Sequence, residues 1–291
     1  MKARAKIAVI GGSGLYEMKA IVKARKLLVK TPFGSPSGPI LLGEVRGVPC
    51  AFLPRHGKGH VLLPSEINQR ANIYALKSLG VERVVAVAAV GSLKEELAPR
   101  HFVFPDQLID ETKGRVSTFF GSGVAAHVAF DAPFCEAQSA VLYDHAKRMG
   151  LAAHRGGAYV CMEGPAYSTK AESDCHRRMG CSVIGMTACP EAKLAREAEL
   201  CYSTVALVTD YVCWKEGEEV STRMVLSTLL ANVADAQRLL EGAIAELAAL
   251  PRSCRCPQAL DGSIITACEA MDRRAAKRLG LLLGKYLKKN K

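Results

Sequence analysis

The run VVAVAAV, residues 84–90, limits what this chain can fold into more than any other stretch. Seven apolar residues follow one another with no polar alternation. A strand with one wet face alternates, so a strand that does not is covered on both faces. Covering both faces of a sheet takes helices on either side, which is the α/β layered arrangement. Other strand-like runs are AKIAVI (5–10), PILLGEV (39–45), VPCAFLP (48–54), GAYVCM (157–162), CSVIGM (181–186) and STVALVTD (203–210). Helical patterns lie between them at 65–80, 135–150, 190–200 and 221–249, and a last, basic helix is expected at about 262–286. Ser65 and Asn68 stand where the first helix needs an N-cap. Strands alternating with helices predict a mixed, largely parallel sheet flanked by helices. No linker or repeat divides residues 1–291, so a single domain is expected.

No stretch approaches the roughly 18 uncharged apolar residues of a membrane span. The apolar run in MKARAKIAVIGG is too short for a secretion signal. A soluble, cytoplasmic chain is therefore expected. The formal net charge is +11, and part of the excess sits in the tail RRAAKRLGLLLGKYLKKNK. Nucleic-acid binding would suit such a tail. Its basic residues are not interleaved with aromatics, however, and a solvated surface is the better reading. A positive field also favours capture of small anions. Eleven cysteines include no Cys-x-x-Cys pair, so zinc-ribbon spacing is absent. Cys254 and Cys256 are close enough for a small-ring disulfide, and Cys135 with Cys201 are candidates for a second. Reduced, partly buried thiols are the alternative.

Polar groups with chemical capacity cluster where the strands end. IAVIGGSGLY places Gly11, Gly12, Ser13 and Gly14 after the first strand. The dinucleotide pattern G-x-G-x-x-G fails, because position 17 is Glu17. A Gly-Ser loop can still present amides and a hydroxyl to one anion, although a simple tight turn reads the same way. PRHGKGH brings Arg55, His56, Lys58 and His60 together, either as an oxyanion site or as a solvated basic turn. AAVGSL (88–93) ends the buried strand in small residues that let a ligand approach the backbone. MEGPAYSTKAES, GMTACPEAKLAREAEL and VTDYVCWKE each deliver polar groups after a strand. Ligands of α/β sheets bind beyond such carboxyl ends.

Taken together, GGSGLY, PRHGKGH, GSL, EGPAYST, GMTACPEAKLAREAELCY and VTDYVCWKE resemble the trimeric purine nucleoside phosphorylase family, in its methylthioadenosine phosphorylase branch. The likeness runs from about residue 6 to residue 268 in matching order. It implies a pentosyltransferase that splits a purine nucleoside with inorganic phosphate as co-substrate. For this branch the substrate is methylthioadenosine and the products are adenine and 5-methylthioribose 1-phosphate. It implies no metal or organic cofactor, and a homotrimer or a hexamer of two trimers. By position, Ser13, Arg55, His56, Thr187 and the Ala89 amide match phosphate ligands. Met186 matches the residue against the ribose, Tyr167 an aromatic near sugar and base, and Asp210 the group facing N7. His127, on loan from a neighbouring subunit, and Thr222 with Val225 match residues near the 5′ end.

The 6-oxopurine branch carries a glutamate where this chain has Ser168 and an asparagine where it has Asp210. A carboxylate accepts from the N1 donor of a 6-oxopurine and repels the N1 acceptor of adenine. The exchange favours a 6-aminopurine. The adenine-specific branch reads Asp-Tyr-Asp, whereas this chain reads Asp210-Tyr211-Val212. Loss of the second carboxylate relaxes selectivity, and a broad or 6-oxopurine phosphorylase stays open. So does a nucleotide-binding regulatory protein that keeps the pocket without turnover.

Overall fold

The computed structural model describes residues 4–12, 14–215 and 222–287. Ser13 and the side chain of Thr222, both singled out above, lie outside the described residues. Eleven strands join in one sheet: β1 (Ile7–Gly11), β2 (Val22–Leu27), β3 (Ile40–Val45), β4 (Val48–Pro54), β5 (Arg83–Ser92), β6 (Phe102–Phe104), β7 (Gln107–Glu111), β8 (Ala153–Arg155), β9 (Ala158–Met162), β10 (Cys181–Gly185) and β11 (Cys201–Asp210). The helices are α1 (Gln69–Ser78), α2 (Glu136–Arg148), α3 (Lys170–Arg178), α4 (Ala188–Glu197), α5 (Thr222–Ala249), α6 (Arg273–Arg278) and α7 (Gly280–Leu287).

The sheet is mixed and largely parallel, as expected, with six parallel pairings against four antiparallel. β5 is its centre. It pairs in parallel with β1 on one side and β11 on the other, and its last two residues turn to pair with β10. The apolar run of β5 is covered on both faces. Val84 and Ala86 pack with Ile73, Leu76 and Leu194 of α1 and α4, while Val85 and Val87 pack with Leu142, Leu239 and Ile244 of α2 and α5. The same alternation holds in β1, where Ala8 and Ile10 face one core and Ile7 and Val9 the other.

Several elements differ from expectation. β2, with the sequence VKARKL, is almost entirely exposed, so it has no apolar pattern to betray it as an edge strand. β6 and β8 are three residues each, and α3 is too polar to show a stripe. The first helix starts later than Ser65: residues 64–66 form a 3-10 turn and Asn68 is the N-cap, its side chain accepting from the Ala71 amide at 3.1 Å. The expected helix over about 262–286 is instead two short ones. α6 is capped by Asp272 and α7 follows at Gly280, with Leu279, Leu282 and Leu283 buried against the core. No helix among the described residues is long and apolar enough to cross a membrane.

None of the eleven cysteines is joined in a disulfide, so neither bridge read from the sequence is formed. Cys135, Cys201, Cys254 and Cys256 instead meet in one cluster.

The position of the cap is testable. Asn68→Ala should lower the unfolding free energy by about 1 kcal/mol in a denaturant titration, the usual worth of an N-cap. Ser65→Ala, at an exposed position, should stay within about 0.5 kcal/mol of the parent.

Candidate active site

The carboxyl ends of β1, β4, β5, β10 and β11 converge. Gly11 is in register with Pro54 beside the middle of β5, where Ile10 pairs with Ala86, and Gly91 is in register with both Ile184 and Asp210 a few residues further along. Around this end two clusters of polar groups form, one cationic and one built on a carboxylate.

Arg55 organises the first. It follows β4 and is almost fully buried. Its Nε and Nη2 donate to the two oxygens of Glu191 at 2.9 and 3.0 Å, Nη1 donates to the Val87 carbonyl at 2.9 Å, and Nη2 reaches the Ile10 carbonyl at 3.4 Å. One side chain thus ties β1, β4, β5 and α4 together. Burial works to lower the Arg55 pKa, but the charge and hydrogen bonds of Glu191 outweigh it and hold the guanidinium firmly protonated. The Tyr202 hydroxyl also donates to Glu191, at 2.8 Å. Of the five donors of an arginine, four are engaged with acceptors among the described residues, leaving one N–H on Nη1.

His56 follows directly. Its Nδ1 lies 2.9 Å from the Leu62 carbonyl, to which it donates, and its ring stacks on His60 with centroids 4.2 Å apart. Burial, reinforced by the neighbouring Arg55 charge, lowers its pKa from 6.5 to about 4. The ring is therefore neutral at pH 7, and with Nδ1 as the donor its Nε2 is an acceptor. Thr187 is buried at the start of α4, and its side chain makes no capping bond to the helix. The Gly11–Gly14 turn is steadied from α5, whose Gln237 donates to the Gly14 carbonyl at 2.7 Å. Gly14 has φ +95°, a conformation that glycine adopts without a steric penalty.

Asp210 ends β11, buried, with its carboxylate held in place. Thr209 Oγ1 donates to one oxygen at 2.7 Å and the Val212 amide to the other at 2.8 Å. The Asp210 turn puts Val212 at φ +59°, a costly backbone for a β-branched residue and one that collects at functional sites. The Val212 side chain comes to rest over Gly91, where a Cβ would stand 2.5 Å from Val212 Cγ2 and 3.1 Å from Asp210 Oδ1. Glycine at position 91 is what lets β5 and the Asp210 turn approach. Beyond it, Trp214 donates to the Ser92 carbonyl at 2.7 Å, with the Arg177 guanidinium 3.8 Å over its ring. Asn232 of α5 holds the Val208 carbonyl at 2.9 Å.

The remaining candidates fall as follows. Ala89 is partly open near the end of β5, and Met186 leads from β10 into α4. Arg115 donates to the carbonyls of Met186, Glu163 and Cys189 at 2.6 to 2.9 Å and to the Glu163 carboxylate at 2.9 Å. It thereby clasps the loop after β9 to the start of α4. Ser168 is buried in that loop, its hydroxyl 3.5 Å from Met162 sulfur, whereas Tyr167 beside it is half exposed. His127 stands exposed on a strip that bridges to Ile264. Val225 is half buried in the first turns of α5.

Glu191 and Arg115 organise this region, yet neither was singled out in the sequence. In PEAKLARE a buried glutamate reads like any helix surface residue. Its position four residues after Thr187 is a signal only once Arg55 is known to lie opposite. Arg115 sits in an unpatterned loop.

The Phosphorylase superfamily profile matches residues 6–245. A relative from Geobacter sulfurreducens, named S-methyl-5'-thioadenosine phosphorylase, is 51% identical over 97% of this chain and 99% of its own. One of the same name from Koribacter versatilis is 50% identical over 99% of both. Among solved structures, a methylthioadenosine phosphorylase from an antarctic soil metagenomic library superposes with TM-score 0.93 at 48% identity, covering 97% of this chain and 100% of that one. The methylthioadenosine phosphorylase from Schistosoma mansoni in complex with adenine gives TM-score 0.84 at 36% identity, covering 92% and 99%.

Two outcomes follow from this geometry. Removing the charge of Glu191 strands a buried guanidinium, so Glu191→Gln should cost about 3–5 kcal/mol in a denaturant titration. The unfolded chain binds the His56 proton near pH 6.5 and the folded chain only near pH 4. Stability must therefore fall as pH drops through that window. The stability difference between the parent and His56→Gln should change by on the order of 3 kcal/mol from pH 7 to pH 4, a slope measurable by urea unfolding. Equal pH slopes in both proteins would contradict the neutral, buried ring.

By its sequence, fold and the arrangement of these strand ends, the chain belongs to the phosphorylase superfamily, in the branch of the S-methyl-5'-thioadenosine phosphorylases.

Proposed function

We propose that the protein catalyses phosphorolysis of S-methyl-5'-thioadenosine to adenine and 5-methylthioribose 1-phosphate. The observation that supports this reading is the side-by-side placement of the strands that carry these groups: Arg55 and His56 follow β4, Thr187 follows β10, and Asp210, its carboxyl group anchored, ends β11. Full-length relatives of that name support it.

In this reading orthophosphate lies against the amides of the Gly11–Gly14 turn and of Ala89, the hydroxyls of Ser13 and Thr187, and the remaining N–H of Arg55. A phosphate oxygen that carries a proton donates to the neutral His56 Nε2. The nucleoside lies with its ribose on Met186 and its purine toward Asp210, with Tyr167 and Ser168 beside it. The C1′–N9 bond breaks with its electron pair passing to the purine. Asp210, entering the step as the neutral acid, gives its proton to N7 and recovers one from solvent, and a phosphate oxygen bonds to C1′. The anion stabilises the cationic sugar electrostatically as the bond stretches. Holding phosphate and sugar in contact removes much of the entropic barrier. No cofactor enters this scheme.

The exposed position of His127 suits a contribution to the 5′ end of a neighbour's substrate, and hence assembly as a trimer or a pair of trimers. Thr222 and Val225 line that end in the same scheme. A cytoplasmic salvage enzyme is the matching setting. Val212 favours a second reading of selectivity: its methyls cover Gly91 where a second carboxylate would hold the purine amino group. Discrimination against 6-oxopurines is accordingly weak, because an unmatched buried polar contact costs only about 1–3 kcal/mol.

Adenine release from methylthioadenosine should depend on added phosphate. Rapid splitting without phosphate would overturn the scheme, and binding without turnover would favour a regulatory protein. Asp210→Ala should lower kcat/KM by about 10²- to 10⁴-fold, the usual worth of a general acid. Asp210→Asn should shift the ratio of kcat/KM values toward inosine.

A further inference from the structure

We propose that Cys135, Cys201, Cys254 and Cys256 form a structural thiolate site for one zinc-class divalent cation. Their four sulfurs all lie within 4.8 Å of one another, and Cys201 Sγ stands 3.5 Å from Cys254 Sγ. Every sulfur has the other three as neighbours, which is the relation among the corners of a tetrahedron. A cation with four sulfurs at about 2.3 Å sets edges of about 3.8 Å, so adjustments of roughly 1 Å or less close the site. The 3.5 Å contact between Cys201 and Cys254 crosses the pairings that the sequence suggested.

Charge and placement agree. Four thiolates around a divalent cation leave two negative charges. The Arg252 guanidinium lies against Cys201, and its buried Nε has no acceptor among the described residues. Three of the four cysteines are buried and Cys254 is partly open, which gives an ion a way in. The ligands come from three remote elements: Cys135 at the N-cap of α2, Cys201 at the first residue of β11, and Cys254 and Cys256 in the segment after α5. Asp210 stands at the other end of β11, about 30 Å away for ten residues of strand. The ion would therefore hold the segment leading to α6 and α7 onto the central strand without entering the chemistry. Binding displaces the four thiol protons and transfers no electrons.

The test uses the full-length enzyme, reduced and with its thiols counted. Zinc added to it should bind at about one ion per chain by elemental analysis, with proton release. Cobalt(II) should give the intense visible bands of a tetrahedral thiolate complex. Both signals should vanish in Cys254→Ser/Cys256→Ser, while kcat on methylthioadenosine stays that of the parent. A fully reduced parent chain that takes up neither metal overturns the proposal. So does binding that persists unchanged in the double variant, or a purified chain two hydrogens light for each of two bridges that stays indifferent to zinc after reduction.

Discussion

The ion pair between Arg55 and Glu191 is the interaction on which the rest of this end of the molecule depends. Both side chains are removed from water, which is costly for either alone and tolerable only because each satisfies the other in a two-pronged contact. The guanidinium then spends its remaining reach on the carbonyls of Val87 and Ile10. Four elements far apart in the chain are thereby held at fixed separation: the ends of β1 and β4, the middle of β5, and the first turn of α4.

The opposite side of the site is organised by backbone geometry. β5 runs in register with β11 for nearly its full length and then meets β10 at Gly91 and Ser92. At that fork only a glycine admits the Asp210 turn, and the turn holds Val212 in a left-handed conformation. The carboxylate is pinned by Thr209 and by the Val212 amide, while Trp214 and Asn232 fasten the flanking chain. A preorganised cationic side and a preorganised carboxylate side are the two requirements of the proposed reaction, which separates charge between a sugar and a departing base. His56 adds a nuance: burial keeps it a neutral partner and Glu191 offsets the Arg55 charge, so this side offers an anion hydrogen-bond donors rather than net positive charge.

Much of this was legible in the residues. The unbroken apolar run of β5 demanded cover on both faces, and two helical layers supply it. The strands that carry the polar ends, β1, β4, β5, β10 and β11, are neighbours in the sheet. Elements written in polar residues stayed hidden: β2 has no buried face, α3 has no apolar stripe, and the C-terminal segment breaks at Leu279 and Gly280 where one helix had been expected. Of the two N-cap candidates Asn68 takes the role and Ser65 does not, because both residue types suit it and only the path of the preceding chain chooses between them.

Local periodicity and turn chemistry are properties of neighbouring residues, so the sequence by itself determined the layered class, most of the strands and which strand ends are rich in polar groups. Partnerships across the fold are set by burial, which no local pattern encodes. Only the tertiary structure decided that Arg55 would be matched by Glu191 and that Val212 would close over Gly91. It likewise decided that four cysteines, spread from Cys135 to Cys256, would gather at the far end of β11 as a single group.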